Sequence, residues 1–349
     1  MASSRSDAEA RLTDWRTLHG DAFEGVPTLV TGGAGFIGSH LTQALIELGA
    51  QVTVIDDLSG GDEANFDSFR DLAGSRLRFV RGSILDENLL DQHMRGCRWV
   101  FHQAALGSVP RSIEQPVLYH EVNATGTLRV LEAARRHGVQ RVMFAASSSA
   151  YGDSETLPKV ETMPVLPKSP YAATKVACEA LMRCYAASYD LDTVSLRYFN
   201  IFGPRQNANS AYAAVIAAFA KALSAGQPPI IFGDGLQSRD FTYVDNAVHA
   251  NLLSARCPQP LNGAVLNVAC ARQISVNELA GLMAQLYDLP DLQPVHQEER
   301  AGDVKHSLAD LTRTEATIGY QPIVSFEAGL RTTVRWYQAV LSQGQPQNA

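Results

Sequence analysis

Apolar positions fall into two alternating rhythms over the first half of the chain. Short β-prone runs over 28–31, 51–55, 77–81, 99–103 and 141–146 predict strands. Between them, apolar residues recurring every three to four positions predict helices ending at 48, near 87–95 and over 114–137. Strands and helices in regular alternation cover both faces of a parallel, doubly wound sheet, so the fold class is α/β. The stretch 172–189 is apolar almost all round, with Glu179 and Arg183 the main exceptions. One face of that helix must cover the sheet, and the other calls for a partner, here a second copy making a homodimer.

After Phe202-Gly203-Pro204 the rhythm breaks. A helical run over 211–225, a strand ending at Phe232 and a Gly233-Asp234-Gly235 turn open a smaller C-terminal α/β lobe. A strand over 239–243 and a helix over 245–255 are expected to return to the main domain. Segments 274–287 and 294–306, with helices over 308–318 and 326–341, complete the lobe. The division is therefore an appendage over 1–26, a main domain over 27–203 with 239–265 returning to it, a lobe from 204–238 and 266–343, and a tail over 344–349. In the appendage, Leu12, Trp15 and Leu18 fit one side of a short helix packing on the domain.

With 349 residues, 46% hydrophobic and 19% charged, the chain suits a soluble globular protein with a generous core. A net charge of −7 argues against a nucleic-acid partner while leaving room for a local basic pocket. No stretch approaches the length of a membrane span, and the N-terminus lacks an apolar signal core, so the expected compartment is the cytoplasm. Cys97, Cys178, Cys184, Cys257 and Cys270 lack metal or disulfide spacing; they read as thiols, and no metal is expected.

Candidate chemistry begins at Gly32-Gly33-Ala34-Gly35-Phe36-Ile37-Gly38, a glycine turn between strand and helix. Gly32, Gly35 and Gly38 let backbone N–H groups approach a pyrophosphate, and the helix N-terminus adds positive charge. This makes the first domain Rossmann-type. The next strand ends at Asp56-Asp57. An acid there accepts hydrogen bonds from an adenosine ribose and repels a 2′-phosphate, and no arginine stands in the loop or directly after Asp57. NAD is thus expected over NADP. Ligands of such sheets sit beyond the carboxyl ends of the strands, which carry Thr31, Asp56, Ser83, Gln103, Ala104, Ala105 and Ser147-Ser148-Ser149. Tyr171 and Lys175, four residues apart on a helix opened by Ser169-Pro170, share one face on that side. Alone, such a pair reads as a solvated patch on a helix. Beside a nicotinamide, the ammonium favours the phenolate, a general base for a substrate hydroxyl.

With these parts in place, the chain resembles the extended short-chain dehydrogenase/reductase family, and within it the NAD-dependent nucleotide-sugar epimerases. The carriers are TGGAGFIG (31–38), FHQAALGSVPRS (101–112), FAASSSAYG (144–152), SPYAATK (169–175), LRYFNIFGPRQ (196–206) and SRDFTYVDN (238–246). GSVPRS, LPKVE and the 197–206 stretch are most similar to the subgroup acting on UDP-N-acetylhexosamines. The resemblance implies Tyr171 as base, Lys175 on the nicotinamide ribose and Ser147 orienting the sugar hydroxyl, with Ser148 beside it. It adds Phe36 and Ile37 to the glycine loop, and Ser59, Gly60 and Gly61 near the adenosine phosphate. Gln103, Ala104 and Ala105 would line the dinucleotide, Asn123 would brace the adjoining loop, and Tyr198 would touch the nicotinamide end. One departure is Ser83, before Ile84, where the family usually has an aspartate on the adenine amine.

For the second lobe, the resemblance implies Arg239, Arg272 and Arg300 on a UDP diphosphate, Asp303 on the ribose, and Asn200, Gln206, Ala214 and Val215 around the nucleotide. Ser108 would face the sugar, and Ser307 would border its C2 substituent, leaving room for an N-acetyl group. Sugar dehydratases of the family carry acids directly after the strand-end hydroxyl; Ser148 and Ser149 stand there instead. The expected activity is C4 epimerisation of a UDP-hexose, most of all UDP-N-acetylglucosamine and UDP-N-acetylgalactosamine, with UDP-glucose also admissible. A UDP-glucuronate 4-epimerase, using Arg111 for the carboxylate, ranks second. A silent NAD-binding sensor is the rival outside the enzymes.

Overall fold

The computed structural model describes residues 12–208, 214–299 and 305–342. Seven parallel strands form the central sheet: β1 (Pro27–Thr31), β2 (Gln51–Asp56), β3 (Leu77–Arg81), β4 (Trp99–His102), β5 (Arg141–Ser147), β6 (Asp192–Tyr198) and β11 (Ala264–Val268). Their order is β11-β6-β5-β4-β1-β2-β3, with the switch in strand order between β1 and β4, which are themselves parallel. Short pairs make up the rest: β7 (Ile201–Phe202) with β10 (Thr242–Tyr243), β9 (Ser238–Arg239) with β12 (Ile274–Ser275), and β8 (Ile230–Phe232) with β13 (Val295–Gln297).

The eight longest helices are α1 (Phe36–Glu47), α2 (Glu87–Met94), α3 (Gly126–Arg136), α4 (Pro170–Tyr189), α5 (Val215–Ser224), α6 (Val244–Arg256), α7 (Val276–Leu286) and α8 (Phe326–Ser342). Side chains alternate across the sheet as its pleat requires. On one face Val30, Val54, Met143 and Leu196 pack under α1 and α6. On the other, Leu29, Val142, Phe144 and Ala146 pack under α2, α3 and α4. A separate core joins α5, α7 and α8 to Phe202, Phe241 and Tyr243 in the second lobe.

Three differences from the sequence reading have physical causes. The expected strand over 239–243 is broken at Asp240, whose buried carboxylate accepts the N–H groups of Cys270 at 2.9 Å and Ala309 at 3.2 Å. Its flanks therefore pair with different partners, in the small ribbons rather than the main sheet. The return to the main sheet runs instead through α6 and β11 and continues past 265 to Val268, which stands in register with Tyr198. Among the described residues at the N-terminus the helix is Trp15–His19, so the i, i+4 pair Trp15 and His19 is buried while Leu12 and Leu18 face solvent. Among the described residues, no helix is long and apolar enough to cross a membrane.

Candidate active site

The glycine loop closes on itself because side chains are excluded from it. Gly32 has φ +70°, and a Cβ there would meet the Ala104 nitrogen at 2.6 Å; a Cβ on Gly38 would lie 2.0 Å from the Gly32 carbonyl oxygen. Gly35 stands at the N-cap of α1 without a capping side chain, leaving that helix terminus open to an anion. Asp56, at the end of β2, accepts the N–H of Ala34 at 2.9 Å and of Leu58 at 2.8 Å. Its carboxyl is pushed up by burial, partly offset by those bonds. Asp57 accepts the Ser59 N–H at 2.8 Å and shapes the next turn.

A cleft of about 540 Å³ runs from this loop to the helix bearing Tyr171. Gly32, Gly35, Phe36, Ile37, Gly38, Asp56, Asp57, Ser59, Gly60, Gly61, Ser83 and Ile84 line one end. Gln103, Ala104 and Ala105 line its middle, and Ser147, Tyr171, Lys175, Tyr198, Asn200 and Gln206 its far end. Ser83 also accepts the Leu85 N–H at 3.2 Å. Asn123 lies behind the wall, in a wide helical turn over His120–Thr125. Its amide accepts the Leu106 N–H at 2.8 Å and donates to the Leu106 carbonyl at 3.2 Å and to Thr174 at 3.1 Å. It thereby ties the loop after β4 to the helix bearing Tyr171.

The Ser147 side chain lies close enough to Tyr171 to pull its phenol down. The Ser147 oxygen accepts the N–H of Ser149 at 3.2 Å and its hydroxyl at 2.8 Å, leaving its own proton to be donated. Lys175 is buried and donates to the Ala145 carbonyl at 2.7 Å. Burial lowers its ammonium to about 8. The expected easing of phenol ionisation by Lys175 is not what the chain alone produces. Burial pushes the Tyr171 phenol up, and only Ser147 pulls it down. The lysine is committed to a carbonyl, and any further acidity must come from a positive group in the cleft. Tyr198 is held by Asn251 at 2.6 Å and donates to Gln103 at 3.2 Å; burial raises its phenol to about 12.

Asn200 and Ile201 also border a second cavity of about 450 Å³ in the smaller lobe. Ala214, Val215 and Arg239 line it, joined by Lys221, Phe232 and Gln237, which the sequence reading did not single out. Gln237 directly precedes the Ser238-Arg239 motif, a signal that could have found it; Lys221 carries no such local mark. Besides Asn123, four residues anticipated around the substrate line neither cavity. Ser108 caps a short helix by accepting the Arg111 N–H at 3.3 Å. Ser148 opens the 3-10 turn Ser148–Tyr151. Arg272 pairs with Glu327 at 2.6 Å and is half exposed. Ser307 stands behind Asn200, accepting its amide at 3.2 Å and the Asp240 N–H at 3.3 Å. Arg300 and Asp303 lie outside the described residues.

A doubly wound sheet with a glycine cradle, an acid at the second strand end and a Ser–Tyr–Lys group defines a dinucleotide-dependent enzyme of the short-chain dehydrogenase/reductase type. The comparisons agree. The chain belongs to the NAD dependent epimerase/dehydratase family, whose model matches residues 28–269. It is 39% identical to a UDP-glucose 4-epimerase of Mycolicibacterium smegmatis over 89% of this chain and 98% of that one. In structure it is similar to a UDP-N-acetylglucosamine 4-epimerase from Methanobrevibacter ruminantium, solved in complex with UDP-N-acetylmuramic acid. The TM-score is 0.85 at 39% identity, covering 92% of this chain and all of that one. A UDP-glucose 4-epimerase from Thermotoga maritima with UDP-glucose gives a TM-score of 0.84 at 36% identity, covering 90% and all. The chain is an NAD-dependent epimerase of nucleotide sugars. The cradle fits that cofactor: Gly32 and Gly38 admit no side chain, and Asp56 stands in the cleft wall.

Proposed function

We propose that the enzyme inverts C4 of UDP-N-acetylglucosamine and UDP-N-acetylgalactosamine, and also accepts UDP-glucose and UDP-galactose. The observation that carries this is the place of Tyr171 and Ser147, in the same end of the cleft as Asn200, where the dinucleotide cleft and the second cavity share a wall. The bound cofactor supplies reversible hydride acceptance. Tyr171, as phenolate, takes the proton of the 4-hydroxyl while the Ser147 hydroxyl holds that oxygen. Lys175 holds the nicotinamide ribose. Arg239, in the second cavity, holds the diphosphate, about which the 4-keto sugar turns to present its other face. Tyr171 then returns the proton, and no net oxidation results.

Serines rather than acids at 148 and 149 leave elimination without its acid and base, which supports epimerisation over dehydration. The N-acetyl preference is supported by the likeness to a UDP-N-acetylglucosamine 4-epimerase and not by Ser307, which stands behind Asn200 and lines neither cavity. Arg111, the group considered for a uronate carboxylate, lines neither cavity, which ranks UDP-glucuronate below the other substrates. Val109, Ile113 and Val117 are exposed on the short helices that pack against α4, and this apolar surface suits a second copy of the chain.

The test incubates the NAD-loaded chain separately with UDP-N-acetylglucosamine, UDP-glucose and UDP-glucuronate, following the C4 proton couplings by NMR. Inversion of the first is expected. Inversion of UDP-glucuronate alone, or a keto or pentose product, rejects the reading.

A further inference from the structure

Beneath the cleft, one buried guanidinium joins the helix bearing Tyr171 and Lys175 to the turn that follows Ser147. Arg197 precedes Tyr198 on β6, in register with Ala146 on β5 and Asn267 on β11, one row below Ser147 and Tyr198. Its Nε donates to Glu179 Oε1 at 2.8 Å and its Nη2 to Oε2 at 2.7 Å, a two-pronged pair with both residues buried. Glu179 lies four residues beyond Lys175 and eight beyond Tyr171, on the same face of α4. The guanidinium carbon stands 4.5 Å from the centre of the Tyr151 ring, and the Tyr151 hydroxyl donates to Asn267 at 2.6 Å. Tyr151 ends the 3-10 turn that begins directly after Ser147.

We propose that Arg197, through Glu179 and Tyr151, is a positioning residue that sets Ser147, the Tyr171–Lys175 helix and the Tyr198–Asn200 segment in register for proton transfer. Burying two charges is costly, and an apolar trio of the same volume would hold the fold as well. What the forked pair and the stacked ring supply is direction. A guanidinium bound in its own plane by a carboxylate, with a ring against its face, admits one orientation of all three elements. The Glu179 carboxylate also favours the Lys175 ammonium against its burial. Lys175 is otherwise faced by Tyr171 and Cys178 on its own helix and by His102 from β4.

The rate measurement rests on the epimerase reading, so the experiment carries a readout that does not. Arg197→Lys, Glu179→Gln and Tyr151→Leu are made in the full chain and loaded with NAD. Turnover, KM, NAD content, melting temperature and the pH at which NAD is released are recorded. Each variant is expected to lower kcat about 10- to 100-fold, the scale of a small misplacement of reacting groups, with KM and NAD content at neutral pH within about twofold. Glu179→Gln also moves NAD release to lower pH, because Lys175 loses the charge that favours its ammonium; Arg197→Lys and Tyr151→Leu leave it in place. Unchanged kcat in folded variants overturns the proposal. So does a parallel fall of KM performance, NAD content and melting temperature, which marks a merely structural cluster. Tyr151→Leu keeps the test open if a charge variant does not fold. A parent chain that inverts no UDP-sugar sinks the functional reading alone, while an unmoved pH of NAD release in Glu179→Gln overturns the link from Glu179 to Lys175.

Discussion

Lys175 turns its ammonium onto the Ala145 carbonyl and stands 5.8 Å from the centre of the Tyr171 ring. The two residues share a helix face, yet the group that favours the Tyr171 phenolate is Ser147. Tyr171 is therefore the group whose loss removes the base without disturbing the cradle. Tyr171→Phe is expected to lower turnover by about 10²- to 10⁴-fold, the range of general-base contributions, while NAD remains bound. Single-turnover rates and the NAD content of the purified variant check this. Turnover within a few-fold of the parent removes the tyrosine mechanism.

The cradle is set by exclusion of atoms. A methyl at position 38 would sit 2.0 Å from the Gly32 carbonyl oxygen, far inside contact distance. Gly38→Ala is expected to displace the loop and to reduce bound NAD to under about a tenth, with circular dichroism unchanged. Calorimetry with NAD measures it, and parent-like affinity would contradict the assignment of the loop.

Arg239 and Arg272 share an expected role in the sequence but occupy different places. Arg239 lines the second cavity, whereas Arg272 is bound to Glu327 at the surface. Arg239→Ala is expected to raise KM for the UDP-sugar by about tenfold or more, as for loss of a charged hydrogen bond. Arg272→Ala should change it by less than about twofold, as for an exposed pair. Equal effects would return Arg272 to the diphosphate.

His19 and His249 meet at 3.1 Å where the N-terminal helix packs on α6, and burial first, then mutual repulsion for His19, lowers them to about 3 and about 4. His102, buried between Thr31 and Thr127, is also lowered to about 3. In the unfolded chain all three bind a proton near pH 6.5, so there the unfolded state holds more protons as pH falls. Stability should be full above pH 6.5 and decline toward pH 4 and below. The urea midpoint followed from pH 7 to 4 tests this, with a shallower decline expected for His249→Leu. Identical slopes would exclude the pair as the source.

Local chemistry in the sequence was enough for the sheet and its cofactor end. Gly32, Gly35, Gly38 and Asp56 declare themselves through spacing and position at strand ends, because a dinucleotide is bound largely by backbone, and backbone conformation is written in glycines. Tyr171 and Lys175 are likewise visible, since helical periodicity alone puts them on one face. Tertiary structure decided what depends on contacts across the chain. Asp240 breaks a strand because the Cys270 and Ala309 amides reach it from distant segments. Arg272 pairs with Glu327, and Ser108 caps a short helix. Lys175 meets a carbonyl in place of the phenol, and Arg197 gathers Glu179 and Tyr151 beneath the site. Periodicity and spacing report the direction in which a side chain leaves its own element. Which partner it finds there is set by the packing of elements far apart in the chain.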